Sequence, residues 1–321
     1  MPRMSEDESD NIRVDDESIT RVQPRSASPQ PAESWFTELV DEAEYTKALF
    51  YGREGTGKTT AAARAAEHGR VLVVNSEGGL KRTALKQQGV DTSRIAVWPP
   101  EGVEITARSL EDLHEKILGD LHDDPDAWYA VVLDSLTEIH HLLRENATEE
   151  RVRKSRTVID PDFVDRDDYG KMTAQLRKLI RRFRDLPCHV LVIALEKDDE
   201  VAQEIRPSLT PALNTDVLGY MDVVVRFGSP DGSFRGRIKG TERIRAKDRF
   251  GILPEVLAEP SFPRIQAILD GDLDLATDEA QVAMNEATAK ARAEAENKPA
   301  AKRVRKTAPA TAEGDTESKE D

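Results

Sequence analysis

Apolar and polar positions divide this chain into three regimes. Residues 1 to about 32 are rich in Ser, Asp, Glu and Pro and carry almost no apolar clusters. A segment of that kind cannot bury enough surface to offset its chain entropy, so residues 1–35 are predicted to be a disordered acidic tail. From there to about 270, short apolar runs recur at 47–51, 70–75, 94–98, 129–134, 189–195 and 222–227, with helical patterns between them. The runs around Val71-Leu72-Val73-Val74 and Ala130-Val131-Val132-Leu133 are nearly continuous, as expected of parallel strands buried on both faces. Between Lys171 and Arg184, the residues Met172, Leu176, Leu179, Ile180 and Phe183 line one stripe of a helix. Ser109 to Asp112 reads as the cap opening another helix. Repeated alternation of this sort predicts an α/β core at 36–270, with a mostly parallel sheet covered by helices on both faces. The last region, 271–321, predicts a helix over Asp278–Asn297 and then a charged, disordered end.

Composition narrows the setting. Mean hydropathy is −0.58, and no stretch approaches the ~20 apolar residues of a membrane span. The first residues show no apolar leader, and a single cysteine, Cys188, excludes an intramolecular disulfide. These features give the expectation of an intracellular, cytoplasmic protein without membrane contact. Net charge is −15, spread as −4 over 1–35, −7 over 36–270 and −4 over 271–321. Such a surface argues against indiscriminate nucleic-acid binding but leaves room for a local basic patch. It also leaves open a salt-adapted host.

The chemistry concentrates at Gly52-Arg53-Glu54-Gly55-Thr56-Gly57-Lys58-Thr59. A short apolar strand enters this G-x-x-x-x-G-K-T segment and an alanine-rich helix from Thr60 to His68 leaves it, the context of a phosphate-binding loop. Gly52, Gly55, Thr56 and Gly57 let backbone N–H groups curl around phosphate oxygens at a helix N-terminus, with Thr60 in the first helical turn. Lys58 supplies a cation for the β- and γ-phosphates, and the Thr59 hydroxyl suits Mg²⁺. Asp134 ends a buried apolar run, so it is expected at the edge of the sheet where ligands bind, placed to hold the metal through its water shell. Glu77 follows the next strand and would emerge at the same edge, either to activate an attacking water or as an ordinary surface acid opening a helix.

With these segments in view, the chain resembles the RecA-like ATPases from about 44 to 251. The likeness rests on GREGTGKTT, VLVVNSEGGLK, VVLDS, YGKMTAQLRKLIRRF, HVLVIAL and RAKDRFG. Its overall pattern is most similar to the phage-encoded Sak group of single-strand annealing and recombination proteins. That resemblance implies Mg²⁺-dependent ATP hydrolysis with Glu77 activating water and Asp134 on the metal side. It also implies a ring or filament on single-stranded DNA, with the tails offering contacts to a single-strand-binding or replication protein. If phage-encoded, the protein would act in the host cytoplasm. In the recombinases a glutamine after the long helix's strand senses the γ-phosphate; here Glu196 stands in that stretch, beside Lys197.

Three basic features are candidates for DNA or for a neighbour. Arg151, Arg153, Lys154 and Arg156 fall where the resemblance places a first DNA-binding loop, and the acidic run 160–168 follows them. Arg177, Lys178, Arg181, Arg182 and Arg184 lie opposite the apolar stripe of their helix, where a solvent face is the plainer reading. Arg235, Arg237 and Lys239 alternate, as do Arg243, Arg245, Lys247 and Arg249. Paired as a hairpin they would form a basic ribbon; edge protection is the alternative. By resemblance, Lys247 and Arg249 are candidate fingers reaching a neighbouring subunit's ATP. A rival reading is an ATP-gated assembly or recruitment protein in replication, with negligible turnover and no direct DNA contact. A small-molecule kinase is a third, weakened by the absence of an arginine-rich lid.

Overall fold

Every apolar run expected to be a strand forms one. The computed structural model describes residues 45–155, 166–230 and 232–296. The readings for 1–35, for Lys302 onward, and for Arg156 with the acidic run to 165 lie outside the described residues. In chain order, β1 is Lys47–Gly52, α1 Lys58–Ala63, β2 Val71–Asn75, α2 Arg82–Gln87, β3 Ile95–Trp98 and α3 Ala107–Asp123. Then come β4 Ala130–Asp134, α4 Leu136–Lys154, α5 Arg166–Arg184, β5 His189–Asp199, β6 Glu204–Pro207 and α6 Pro211–Tyr220. The chain continues through β7 Val223–Gly228, β8 Arg235–Arg237, β9 Lys247–Asp248, β10 Val256–Ala258, α7 Phe262–Leu269 and α8 Glu279–Glu296.

The sheet runs β10-β8-β7-β1-β5-β4-β2-β3, with β6 on β5 and β9 on β7. From β7 to β3 all neighbours are parallel. Alternation along each strand sends side chains to opposite faces, and the core divides accordingly. Leu49, Val74, Val131 and Val192 pack against the apolar sides of α3, α4, α5 and α6. Ala48, Phe50, Val73 and Ile193 pack against α1, the 3₁₀ turn Arg64–Glu67, and α7. Burial on both faces is why these strands read as continuous apolar runs. β1 is followed in sequence by β2, yet its sheet neighbours are β5 and β7. That reversal opens a crevice at the carboxyl ends of the strands, where ligands bind in open α/β sheets.

Several local expectations change. The cap of α3 is Thr106, three residues before the expected Ser109; Ser109 closes the capping box from N3, its Oγ accepting from Thr106 N at 2.9 Å. The alanine-rich helix after Thr59 is short and tightens into the 3₁₀ turn, bringing Ala61, Ala62, Ala65 and Ala66 into the core. Arg151, Arg153 and Lys154 are the last turn of α4 rather than a loop, where cations favour the helix dipole. The basic side of α5 is bridged to its neighbours: Arg177 to Asp216, Lys178 to Glu111, Arg182 to Glu115.

The expected basic hairpin does not form. β8 and β9 both run antiparallel to β7, as one strand interrupted by the excursion 238–246, and β10 pairs with the other side of β8. The excursion turns away to pair with β6: Ile205 N donates to Arg243 O at 2.6 Å and Arg245 N to Ile205 O at 3.1 Å. Alternation of charge fitted two strands equally well, but the backbone partners lay in β6, β7 and β10, beyond the reach of local pattern.

Candidate functional site

Buried strand β1 delivers the loop 52–59 to the carboxyl edge of the sheet. Gly52 passes so close to β7 that a Cβ there would lie 2.5 Å from the Phe227 carbonyl oxygen. Gly57, at φ +85°, caps α1 in the left-handed region that favours glycine. Lys58 is buried, and its Nζ donates to the carbonyls of Gly52 at 2.9 Å and Arg53 at 2.7 Å. Burial lowers its pKa, against the pull of Asp134 and Glu77. Thr56 Oγ1 donates to Arg53 O at 2.8 Å and tightens the loop. Thr60 bonds the Gln88 side chain, on the flank of the same cavity.

The carboxylates arrive from β2 and β4, whose ends are stitched together. Ser76 N donates to Asp134 O at 2.8 Å, and Ser135 N donates to Ser76 Oγ at 2.8 Å. Thr59 Oγ1 donates to Asp134 Oδ2 at 2.8 Å, so the two side chains expected on the metal side meet directly. The Ser135 hydroxyl donates to Glu77 Oε1 and also caps α4 through Glu138 N. Sequence reasoning placed Ser135 only as part of a motif; the structure makes it the residue that fixes Glu77. Asp134 is raised to about 6, first by burial and then by the neighbouring Glu77 charge. Lys58, Thr59, Glu77 and Asp134 all line one cavity of about 1190 Å³.

Among the described residues no group of three or more His, Cys, Asp or Glu could hold a metal ion unaided. The donor set still fits Mg²⁺, which keeps waters and takes phosphate oxygens with only one or two protein ligands. Asp134 and the Thr59 hydroxyl, in contact at 2.8 Å, are the one carboxylate and one hydroxyl that would hold such an ion here.

Glu196 is nearly enclosed, with 5% of its side chain exposed. Its carboxylate accepts from Arg53 Nε at 3.0 Å and from Arg226 Nε at 3.0 Å. It therefore ties the loop to β7 instead of offering a free oxygen to phosphate. Neither arginine was singled out from sequence, because nothing local marks Arg53 or Arg226 as its partner. Lys247 and Arg249 sit at the amino edge of β7, a strand's length from the loop. Lys247 Nζ donates to the carbonyls of Leu218, Gly219 and Met221, and Arg249 to Asp222 and Gly219. Both are engaged within their own chain, closing the end of α6.

A profile of the AAA domain family, AAA_24, matches residues 44–250. The chain belongs to this family. An AAA domain of this kind is a P-loop domain that binds nucleotide, and the G-x-x-x-x-G-K-T segment 52–59 that lines the cavity lies within the match. No curated protein matches the chain. Among solved structures, the RadB recombinase aligns at 18% identity and a TM-score of 0.40, over 66% of this chain and 84% of that one. In this AAA domain no described helix is long and apolar enough to cross a membrane.

Proposed function

We propose that this AAA domain hydrolyses ATP in an Mg²⁺-dependent phosphoryl transfer to water. The observation that carries the proposal is the convergence of Lys58, Thr59, Asp134 and Glu77 on one cavity, from three different strand ends. Lys58, now bonded to loop carbonyls, would turn to the β- and γ-phosphates, and the P-loop N–H groups would bind the rest. Thr59 and Asp134 would hold the metal, which neutralises charge on the phosphates when bound. Glu77, oriented by Ser135, would accept the proton of the attacking water.

We extend this, by resemblance to RecA-like ATPases, to action on single-stranded DNA in recombination or annealing, as a ring or filament. One observation favours the rival reading of an ATP-gated assembly protein without DNA contact: the alternating arginines are committed to acids of their own chain. Arg237 bonds Glu255 at 2.8 Å, Arg243 bonds Asp198 at 2.6 Å, and Arg245 bonds Glu204. Phosphate released from ATP by the purified chain, with and without Mg²⁺ and single-stranded DNA, separates these. Turnover that needs Mg²⁺ supports the hydrolase, stimulation by DNA supports the extension, and binding without turnover supports the rival.

A further inference from the structure

The catalytic groups occupy only part of the cavity. The remainder is mixed: Phe234, Pro260, Pro263, Leu273 and Met284 line it together with polar groups such as Arg64, Glu259 and Arg264. Phe234 lies against the P-loop, where a Cβ on Gly57 would be 3.4 Å from its Cδ1, yet the residue is 50% exposed. A large aromatic left half-open beside a phosphate cradle is out of place in a core and suited to a flat ligand surface. Most of the facing wall comes from residues beyond 250, where the family match ends.

That wall is built firmly. Gln281 of α8 is fully buried, and its side-chain amide substitutes for a neighbouring strand along β10. Its Nε2 donates to Val256 O at 2.8 Å, and its Oε1 accepts from Ala258 N at 3.1 Å. Arg264 of α7 bridges Asp278 just before α8. Glu259, between β10 and α7, adopts φ +47°, a costly geometry for a residue with a side chain, and it too lines the cavity. Helix α8 is thereby pinned over the site, with Ala280 and Met284 facing the same space as Phe234.

We infer that Phe234, the Pro260–Pro263 turn and α8 form the nucleobase subsite, with the base stacking on the Phe234 ring. The inference rests on the nucleotide reading of the P-loop and names what holds the other end of that ligand. It also gives the segment after 250 a direct part in nucleotide affinity.

The test is calorimetric titration of the full chain, with Mg²⁺ present, using ATP and inorganic tripolyphosphate as separate probes. Stacking contributes about 1–3 kcal/mol per base, equivalent to roughly 5–150-fold in affinity. Phe234→Ala should weaken ATP binding within that range and leave tripolyphosphate unchanged, while Phe234→Trp should retain ATP affinity. Met284→Glu, which puts a charge on the opposite wall, should weaken ATP alone as well. Unchanged ATP affinity in Phe234→Ala overturns the subsite, and so does equal loss for both probes, since Phe234 would then act on the loop's shape. Failure of the unaltered chain to bind either probe overturns the nucleotide reading and the subsite with it.

Discussion

Two charged regions of this molecule use their charges differently: one gathers them around a cavity, the other pairs them off along a strand. At the carboxyl edge of the sheet, Lys58, Thr59, Glu77 and Asp134 come from separate strands into a common space. Along the interrupted strand 235–249, charge is denser in sequence, yet Arg237, Arg243, Arg245 and Arg249 are ion-paired within the chain. Lys247 is spent on helix carbonyls. A cation count therefore locates charge without locating work. Both sets have partners within the chain; what separates the regions is that at the edge the partners are groups around one cavity, whereas along 235–249 they are acids and carbonyls of flanking elements.

The comparison breaks first at Lys58. Lys58→Ala should lower turnover by about 10²–10³-fold, because the residue's charge faces the place where phosphate charge develops. The thermal midpoint without nucleotide should hardly move. Parent-level hydrolysis in this variant would put the convergent edge on a par with the paired one.

Acidity gives the next effect. Asp134 must be ionised to help hold Mg²⁺, and its pKa is raised to about 6. Mg²⁺ affinity in the presence of ATP should be flat above pH 7 and fall by up to about tenfold per unit below 6. In the ligand-free chain the sign is opposite. A pKa raised above the ordinary 3.8 makes this group's contribution to stability full below that value and lost as pH rises through about 6. Titrations of Mg²⁺ across this range, beside thermal melts without ligand, check both slopes; Mg²⁺ binding independent of pH would remove Asp134 from the site.

Smaller effects are expected on the paired side. Lys247→Ala/Arg249→Ala should cost about 1–2 kcal/mol of stability, read by urea denaturation, through loss of the α6 carbonyl contacts. Turnover per folded molecule should stay unchanged. A stable variant with assembly-dependent hydrolysis abolished would restore these residues as fingers to a neighbour. The smallest change is expected for Arg237→Ala/Arg243→Ala/Arg245→Ala. Its affinity for single-stranded DNA, and the salt slope of about −0.7 per phosphate neutralised, should equal the parent's. A flattened slope would show that DNA displaces the internal acids.

The same contrast explains what the sequence disclosed. Six strands, the apolar stripe of α5 and the P-loop were legible because each is encoded by neighbours: continuous burial, helical period, or a fixed glycine spacing. Glu77 and Asp134 were expected at the edge because each follows a strand run, and both line the cavity there. Invisible were the links between distant segments. Ser76 joining β2 to β4, Arg226 and Arg53 sharing Glu196, and Gln281 completing β10 all depend on which strand lies beside which. The hairpin expected at 235–249 failed for that reason, since period two fixes a strand's faces and leaves its partner open.

Glu77 tests most directly whether the convergent edge performs chemistry. Single-turnover hydrolysis of ATP by Glu77→Gln, with binding followed in the same samples, should show parent-like affinity and a rate lower by about 10²-fold. A parent-like rate would mean that the Ser135–Glu77 pair only fastens the tips of two strands, and would contradict the account.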